Sequence, residues 1–268
     1  MKAVARIILV TALVVSFTSS TYAHVAVWKA LNNQAIELYQ EGRYSEAAKV
    51  AEKSLKVAEN TFVSNHLNIA KSLKNLAAFY YYQDKYSEAE PLFKRALAIT
   101  EKAFGPDHPQ VATSLNNLAE LYRVQDKYSE AESLFKRALA IEGKVLEPDH
   151  PQVATSLNNL AALYYSQDKY SEAEPLFKRA LAIEEKALGP DHPQVATSLN
   201  NLAELYRVQG KYIEAEPLFK RALAIMEKTL GPDHPRVVTL LENLGDYYQE
   251  SDQKTEEKSL DARPIELL

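Results

Sequence analysis

A register of 42 residues runs through this chain and leaves few folds open to it. All six histidines, His24, His66, His108, His150, His192 and His234, keep that spacing. So do Tyr44, Tyr86, Tyr128, Tyr170 and Tyr212. Self-similarity at a fixed period marks a stack of supersecondary units, each leaning on its neighbours, rather than a globule with one centre. The register divides the chain into a leader over 1–23, repeats over 24–65, 66–107, 108–149, 150–191 and 192–233, a capping half repeat over 234–250 and a tail over 251–268. One solenoid domain replaces the two compact domains that 268 residues alone would suggest.

Within the repeat at 108–149 the apolar residues recur at three and four. Val111, Leu115, Leu118, Ala119 and Tyr122 line one side of a helix starting near Pro109. Thr113, Asn116, Asn117, Glu120 and Val124 fall on the opposite side. After the polar break Gln125-Asp126-Lys127, a second helix carries Ala131, Leu134, Phe135, Ala138, Leu139 and Val145 on its apolar side. Each repeat is therefore a helix pair without strands, and an all-α fold follows.

Turn chemistry agrees. Gly-Pro-Asp-His-Pro at 105–109, 189–193 and 231–235 puts a glycine where one helix ends and a proline where the next begins. Between the helices of a pair stand Gly42, Asp84, Asp126, Asp168 and Gly210, residue types that tolerate positive φ. Ser87 with Glu90, Ser129 with Glu132 and Ser171 with Glu174 have capping-box spacing, which would put Pro91, Pro175 and Pro217 in or just beyond a first turn. The end repeats are atypical: Phe93, Phe135, Phe177 and Phe219 give way to Ala51 in the first.

Residues 1–23 read as a secretory signal, with Lys2 and Arg6 before the apolar run Ile7 to Val15 and a small, polar exit ending at Ala23. Nine residues are too few to span a bilayer, which takes about 20. Export to a bacterial periplasm or beyond the cell is the expectation. The net charge of −5 argues against a nucleic-acid surface. With no cysteine, disulfides, thiolate metal sites and thiol nucleophiles are excluded.

The run Leu115, Leu118, Ala119, Tyr122, Tyr128, Ala131, Phe135 and Ala138, repeated as Leu157, Leu160, Ala161, Tyr164, Tyr170, Ala173, Phe177 and Ala180, resembles the tetratricopeptide (TPR) repeat. Asn116-Asn117-Leu118-Ala119 and Gly-Pro-Asp-His-Pro are similar to its 42-residue kinesin-light-chain type. The resemblance covers 24–250 and implies a right-handed superhelix of antiparallel helix pairs, with the first helices forming a concave, non-enzymatic binding wall. Motor transport does not carry over, because an export signal is present and an N-terminal heptad region is not.

On that implied wall the sequence places Asn33, Asn75, Asn117, Asn159, Asn201 and Asn243, with a second row at Asn32, Asn116, Asn158 and Asn200. A carboxamide both donates and accepts, so such rows suit the main chain of an extended peptide. They also suit solvation of the wall or bridging between helices. Ala78 with Tyr81, Glu120 with Arg123, Ala162 with Tyr165, and Glu204 with Arg207 alternate along the stack and would tune selectivity. Lys29, Lys71 and Lys74 stand near the N-terminal end, and Glu242, Asp246 and Glu250 on the last helix, so an acidic ligand segment would point to the first two repeats. The family's carboxylate clamp needs basic residues in three consecutive units. Thr113, Thr155 and Thr197 follow Lys71 here, and the clamp is rejected.

The histidines lie one helix pair apart and fit a helix-start role better than a metal site, whose ligands must come within about 2 Å of one ion. Lys94, Lys136, Lys178 and Lys220, each followed by Arg, form a basic row opposed by Glu90, Glu132, Glu174 and Glu216 four residues earlier. The remaining carboxylates read as scattered surface charge. No nucleophile–base pair, phosphate loop or HExxH pattern is present. The tail from Ser251 reads as disordered. The expected role is a protein-interaction scaffold that takes a protein or peptide partner, without cofactor, metal or nucleic acid. The rivals are end-to-end self-association into a homo-oligomer and a helper subunit of an envelope or secretion complex.

Overall fold

The computed structural model describes residues 22–261. Among them are eleven helices and no strand. These are α1 (22–40), α2 (Tyr44–Thr61), α3 (Leu67–Tyr81), α4 (Tyr86–Phe104), α5 (Pro109–Val124), α6 (Tyr128–Val145), α7 (Pro151–Tyr165), α8 (Tyr170–Leu188), α9 (Pro193–Val208), α10 (Tyr212–Leu230) and α11 (Pro235–Asp261). The chain forms two compact units, one through Ile141 and one from Glu142. In the first, α2 packs on α3, α3 on α4 and α4 on α5; in the second, each helix from α7 to α11 packs on the next.

Helix ends follow the chemistry of single residues. Asp84, Asp126 and Asp168 adopt φ of 57–58°, and Gly42 and Gly210 take 74° and 70°. Beside each, two main-chain bonds reach back into the helix just ended. Lys85 N–H donates to Tyr80 O at 2.9 Å and Asp84 N–H to Tyr81 O at 3.0 Å. That closure satisfies the last carbonyls and restarts the chain one residue later. The next helix therefore begins at the tyrosine, with Lys85, Lys169 or Lys211 at its N-cap and no side-chain cap. The expected capping boxes do not form. Ser87 is already the second helical residue, and its hydroxyl donates to Glu88 at 2.6 Å. Pro91, Pro175 and Pro217 accordingly fall inside their helices, in the second turn.

The histidines cap instead. In five of the six the imidazole Nδ1 accepts the main-chain N–H two residues on: Asn68 for His66, Gln110 for His108, Gln152 for His150 and Gln194 for His192, all at 3.1 Å, and Arg236 for His234 at 3.2 Å, while His24 lies inside α1. One of the orphan donors of each first helix is thereby satisfied.

Close approach within a pair is made by alanine. Ala47, Ala89, Ala131, Ala173 and Ala215 are fully buried, as are Phe135, Phe177 and Phe219 to within 2%. In the second unit Phe177, Leu202, Tyr206, Phe219 and Tyr247 share one cluster, so residues of four helices exclude water together. A buried phenylalanine contributes about 1.5–3 kcal/mol by area, and it does so only while its neighbours are in place. Two expectations are corrected. Val145, placed on the apolar side of α6, is 47% exposed at the end of its helix, where no further turn covers it. The tail is helical as far as Asp261, because nothing between Gly245 and Pro264 breaks a helix. The leader lies outside the described residues apart from Tyr22 and Ala23, which begin α1.

Candidate groove on the first helices

The two asparagine rows have separate roles. Members of the second row hold helices together. Asn32 is 3% exposed and accepts from Asn75 Nδ2 at 3.2 Å. Asn200 accepts from Asn243 Nδ2 at 3.0 Å, and Asn158 Nδ2 donates to Ser198 Oγ at 2.6 Å and Glu184 Oε1 at 3.1 Å. Asn116 is buried to 6%. Bridging, one of the alternatives open from sequence, is thus the arrangement of this row. In the first row Asn75 and Asn243 are spent on the same bridges. No hydrogen bond among the described residues engages the side chains of Asn33, Asn117, Asn159 or Asn201, which remain at least partly exposed.

In the second unit two of these amides line a cavity of about 410 Å³, together with Thr155, Gln194, Thr197 and Arg236. A second hollow of about 300 Å³ adjoins it and shares Thr197 and Arg236, with Asn200, Thr239 and Asn243 in its wall. Thr155 and Thr197 donate their hydroxyls to main-chain carbonyls of Pro151 and Pro193 at 3.3 Å. Thr155 Oγ1 in turn accepts from Gln194 Nε2 at 3.3 Å.

The alternating positions join across repeats. In the first unit Arg123 grips Glu120 through two bonds of 2.8 and 2.7 Å, and Tyr81 Oη donates to the same carboxylate at 3.1 Å. Burial, then the Glu120 charge, pushes the Tyr81 phenol well above its ordinary range. In the second unit Arg207 pairs with Glu204 at 2.9 Å and with Glu250 of α11, and Tyr165 is raised by burial and by Glu204. Aromatic and charged steps therefore form shared clusters rather than separate contacts. Among the described residues no carboxylate pairs with Lys71 or Lys74 of the first unit. Lys71 Nζ lies 5.9 Å from the centre of the Trp28 ring, and Lys74 is pulled below its ordinary range by burial and then by the Lys71 charge.

Behind the amides lies a feature absent from the sequence reading. Glu142 and Glu184, expected as surface charge, are completely buried. Ser156 Oγ and Gln152 Nε2 donate to Glu142 Oε1 at 2.8 and 3.1 Å. In each glutamate Oε2 is sealed from water without a hydrogen-bond partner. Desolvation raises both carboxyls above their ordinary range, outweighing the donors around them. The signal was present as a register oddity. The column Ala58, Thr100, Glu142, Glu184, Met226 is otherwise small or apolar.

The basic row on the second helices is neutralised as expected, by Glu90, Glu132, Glu174 and Glu216 at 2.5–2.7 Å. Among the described residues no three histidines or carboxylates gather as a metal site would require, and no helix is long and apolar enough to cross a membrane.

These helix pairs, their capped starts and their shared cores define an α-solenoid of the interaction-scaffold class. The tetratricopeptide repeat model matches residues 27–101, 68–142, 122–186, 152–227 and 194–260, and the chain belongs to that family. Among solved structures it is similar to nearly identical TPR-like repeats assigned to a kinesin light chain of Podosopora anserina, at 29% identity and a TM-score of 0.61, covering 75% of this chain and 95% of that one. It also matches BtubC (BKLC) from P. vanneervenii at 23% identity and a TM-score of 0.62, over 89% and 98% of the two chains. A Rap protein complexed with Competence and Sporulation Factor matches at 17% identity and a TM-score of 0.66, over 88% of this chain and 76% of that one. The last two likenesses concern the fold alone. No curated protein matches the chain.

Proposed function

We propose that this protein is an exported, non-enzymatic scaffold whose first-helix face holds an extended peptide segment of a partner protein. The observation that carries this reading is the pairing of partly exposed, uncommitted amides with a cavity. Asn159 and Asn201 line the 410 Å³ hollow and make no hydrogen bond within the protein, while the neighbouring row holds the helices in place. Uncommitted carboxamides at repeat spacing match the alternating donors and acceptors of a peptide main chain. Lys71 and Lys74 offer a second, basic wall in the first unit. The signal-like leader supports export.

Replacing Asn117, Asn159 and Asn201 together with Ala tests it. The variant should keep the helical circular-dichroism spectrum of the parent and lose retention of a random nonapeptide library. Retention at the parental level would remove the reading.

A second reading has its own observation. Val238, Leu241 and Tyr248 of α11 are 44%, 46% and 38% exposed and share a face with Gly245. End-to-end association through that face predicts a mass above the monomer by light scattering at micromolar concentration. A sharp monomer peak would dismiss it.

A further inference from the structure

At the first-helix register position immediately before the repeated valine, Gln110, Gln152 and Gln194 are followed by Arg236. The substitution puts a guanidinium into the walls of both hollows of the second unit. Arg207 and Arg221 of this unit are committed, Arg207 to Glu204 and Glu250 and Arg221 to Glu185, and Arg179 is not among the residues that line either hollow. Arg236 is exposed, and no ion pair or hydrogen bond engages its guanidinium among the described residues. The acids nearest to it on its own helix, Glu242 and Asp246, lie six and ten residues on, about 9 and 15 Å along the axis.

The lining around it is neutral and hydrogen-bonding, with Asn159, Asn201, Gln194 and the two threonines. A carboxyl behind the wall, Glu184, is joined to it through Asn158 and held toward its neutral form by burial. A planar, permanently charged fork at the mouth of a neutral polar hollow matches a carboxylate in shape and charge.

We propose that the hollow at Arg236 is a selectivity subsite that takes a carboxylate of the bound peptide, from an Asp or Glu side chain held among the amides of Asn159 and Asn201. This inference rests on the peptide-groove reading and adds the chemistry of one ligand position. It also places an acidic preference in the second unit, in addition to the basic wall of the first.

The test pans two randomised nonapeptide libraries, one amidated and one with a free C-terminus, against the full chain and its Arg236→Gln variant. Glutamine is the residue of the preceding repeats, so the variant keeps the local structure. From the amidated library the parent should enrich Asp or Glu at one position about tenfold over Asn or Gln. Arg236→Gln should lose that enrichment and still retain peptides. The exposed and unpaired Arg179 on α8 supplies the control, and Arg179→Gln should leave the enrichment intact. Enrichment confined to the free-C-terminus library would show that a chain terminus, not a side chain, fills the site and would overturn the assignment. Equal enrichment in parent and Arg236→Gln would overturn it while sparing the groove. Retention of no peptide from either library would overturn both.

Discussion

The two halves of the molecule are built from nearly the same sentence of sequence, yet the seam between successive repeats is dry in one and acidic in the other. In the first unit the register position carries Ala58 and Thr100. Thr100 turns its hydroxyl onto Ala96 O at 2.8 Å, and the serine column is served by Trp28 Nε1 on Ser72 at 2.8 Å. In the second unit the same position carries Glu142 and Glu184, with Ser156 and Asn158 as partners, and then Met226 near Leu240. Surface networks do not differ in this way. Tyr122 and Lys127 meet Glu90 at 3.3 and 3.0 Å, and Tyr206 and Lys211 meet Glu174 at 3.3 and 2.9 Å. A repeat fold thus fixes its outer contacts by register and leaves the buried seam free to vary, here at the cost of one carboxylate oxygen of Glu142 and one of Glu184 without a donor.

Four measurements would break or sharpen this contrast. The largest effect belongs to the shared core. Phe177→Ala should cost about 3–5 kcal/mol in urea unfolding, because residues from several helices close on that ring. The first repeat already carries Ala51 at this register, buried to 2%. A loss below about 1 kcal/mol would show that the second unit has no common core.

Proton linkage comes next. A carboxyl raised by burial binds its proton more tightly folded than unfolded. Its stabilising contribution is complete below the ordinary value of 4.5 and is lost as pH rises through the raised, folded value. Lowering the pH from 7 toward 5 should therefore raise the unfolding midpoint of the parent. Replacing both residues, Glu142→Gln with Glu184→Gln, should flatten that slope. Salt-bridged Glu90 and Glu174, whose values are lowered by their lysines, act in the opposite sense and only as pH falls below 4.5. An unchanged slope in the double variant would mean that the seam is hydrated.

The histidine caps should differ between halves. His108 also stacks on Phe104, with ring centres 4.2 Å apart, whereas the residue at that place before His192 is Leu188. His192→Ala should cost about 1 kcal/mol for the lost cap, and His108→Ala about 0.5–1.5 kcal/mol more for the lost stack. Equal losses in thermal melts would make the ring contact irrelevant.

The smallest effect is a gain. Arg95 pairs with Glu59 at 2.5 Å, Arg137 with Glu101 at 2.7 Å and Arg221 with Glu185 at 2.6 Å, but Arg179 faces a register position occupied by Gly143. A Cβ at Gly143 meets nothing within 4 Å. Gly143→Glu should stabilise by about 1 kcal/mol, chiefly from helix propensity, with a few tenths added by the ion pair. Destabilisation would show that the glycine serves a bend.

Much of the fold was legible because its information is local. Positive φ at Asp84, Asp126 and Asp168, the paired helices and the buried phenylalanines all follow from residue type and spacing within one repeat. The candidate groove was legible only in outline. Asn32 and Asn33 are adjacent and chemically identical, yet one is sealed against its neighbour and the other faces outward. A helix turns 100° per residue, so which of two consecutive amides meets the next repeat depends on the packing angle. Serine was read as the cap from its spacing to glutamate, but the two-bond closure at Asp84 starts the helix two residues earlier, and side-chain capping falls to the histidines before α3, α5, α7, α9 and α11.

Sequence alone determined the period, the helix pair, the turns and the family, since each is written in side-chain chemistry that acts over a few residues. Tertiary packing decided which polar groups lose water. Glu142 and Glu184 follow an isoleucine just as the exposed Glu37 and Glu214 do, and only the approach of the next repeat turns them into buried acids. It likewise decided that Asn159, Asn201 and Arg236 open onto a hollow, because an unfilled space is a property of several helices at once and of no segment by itself.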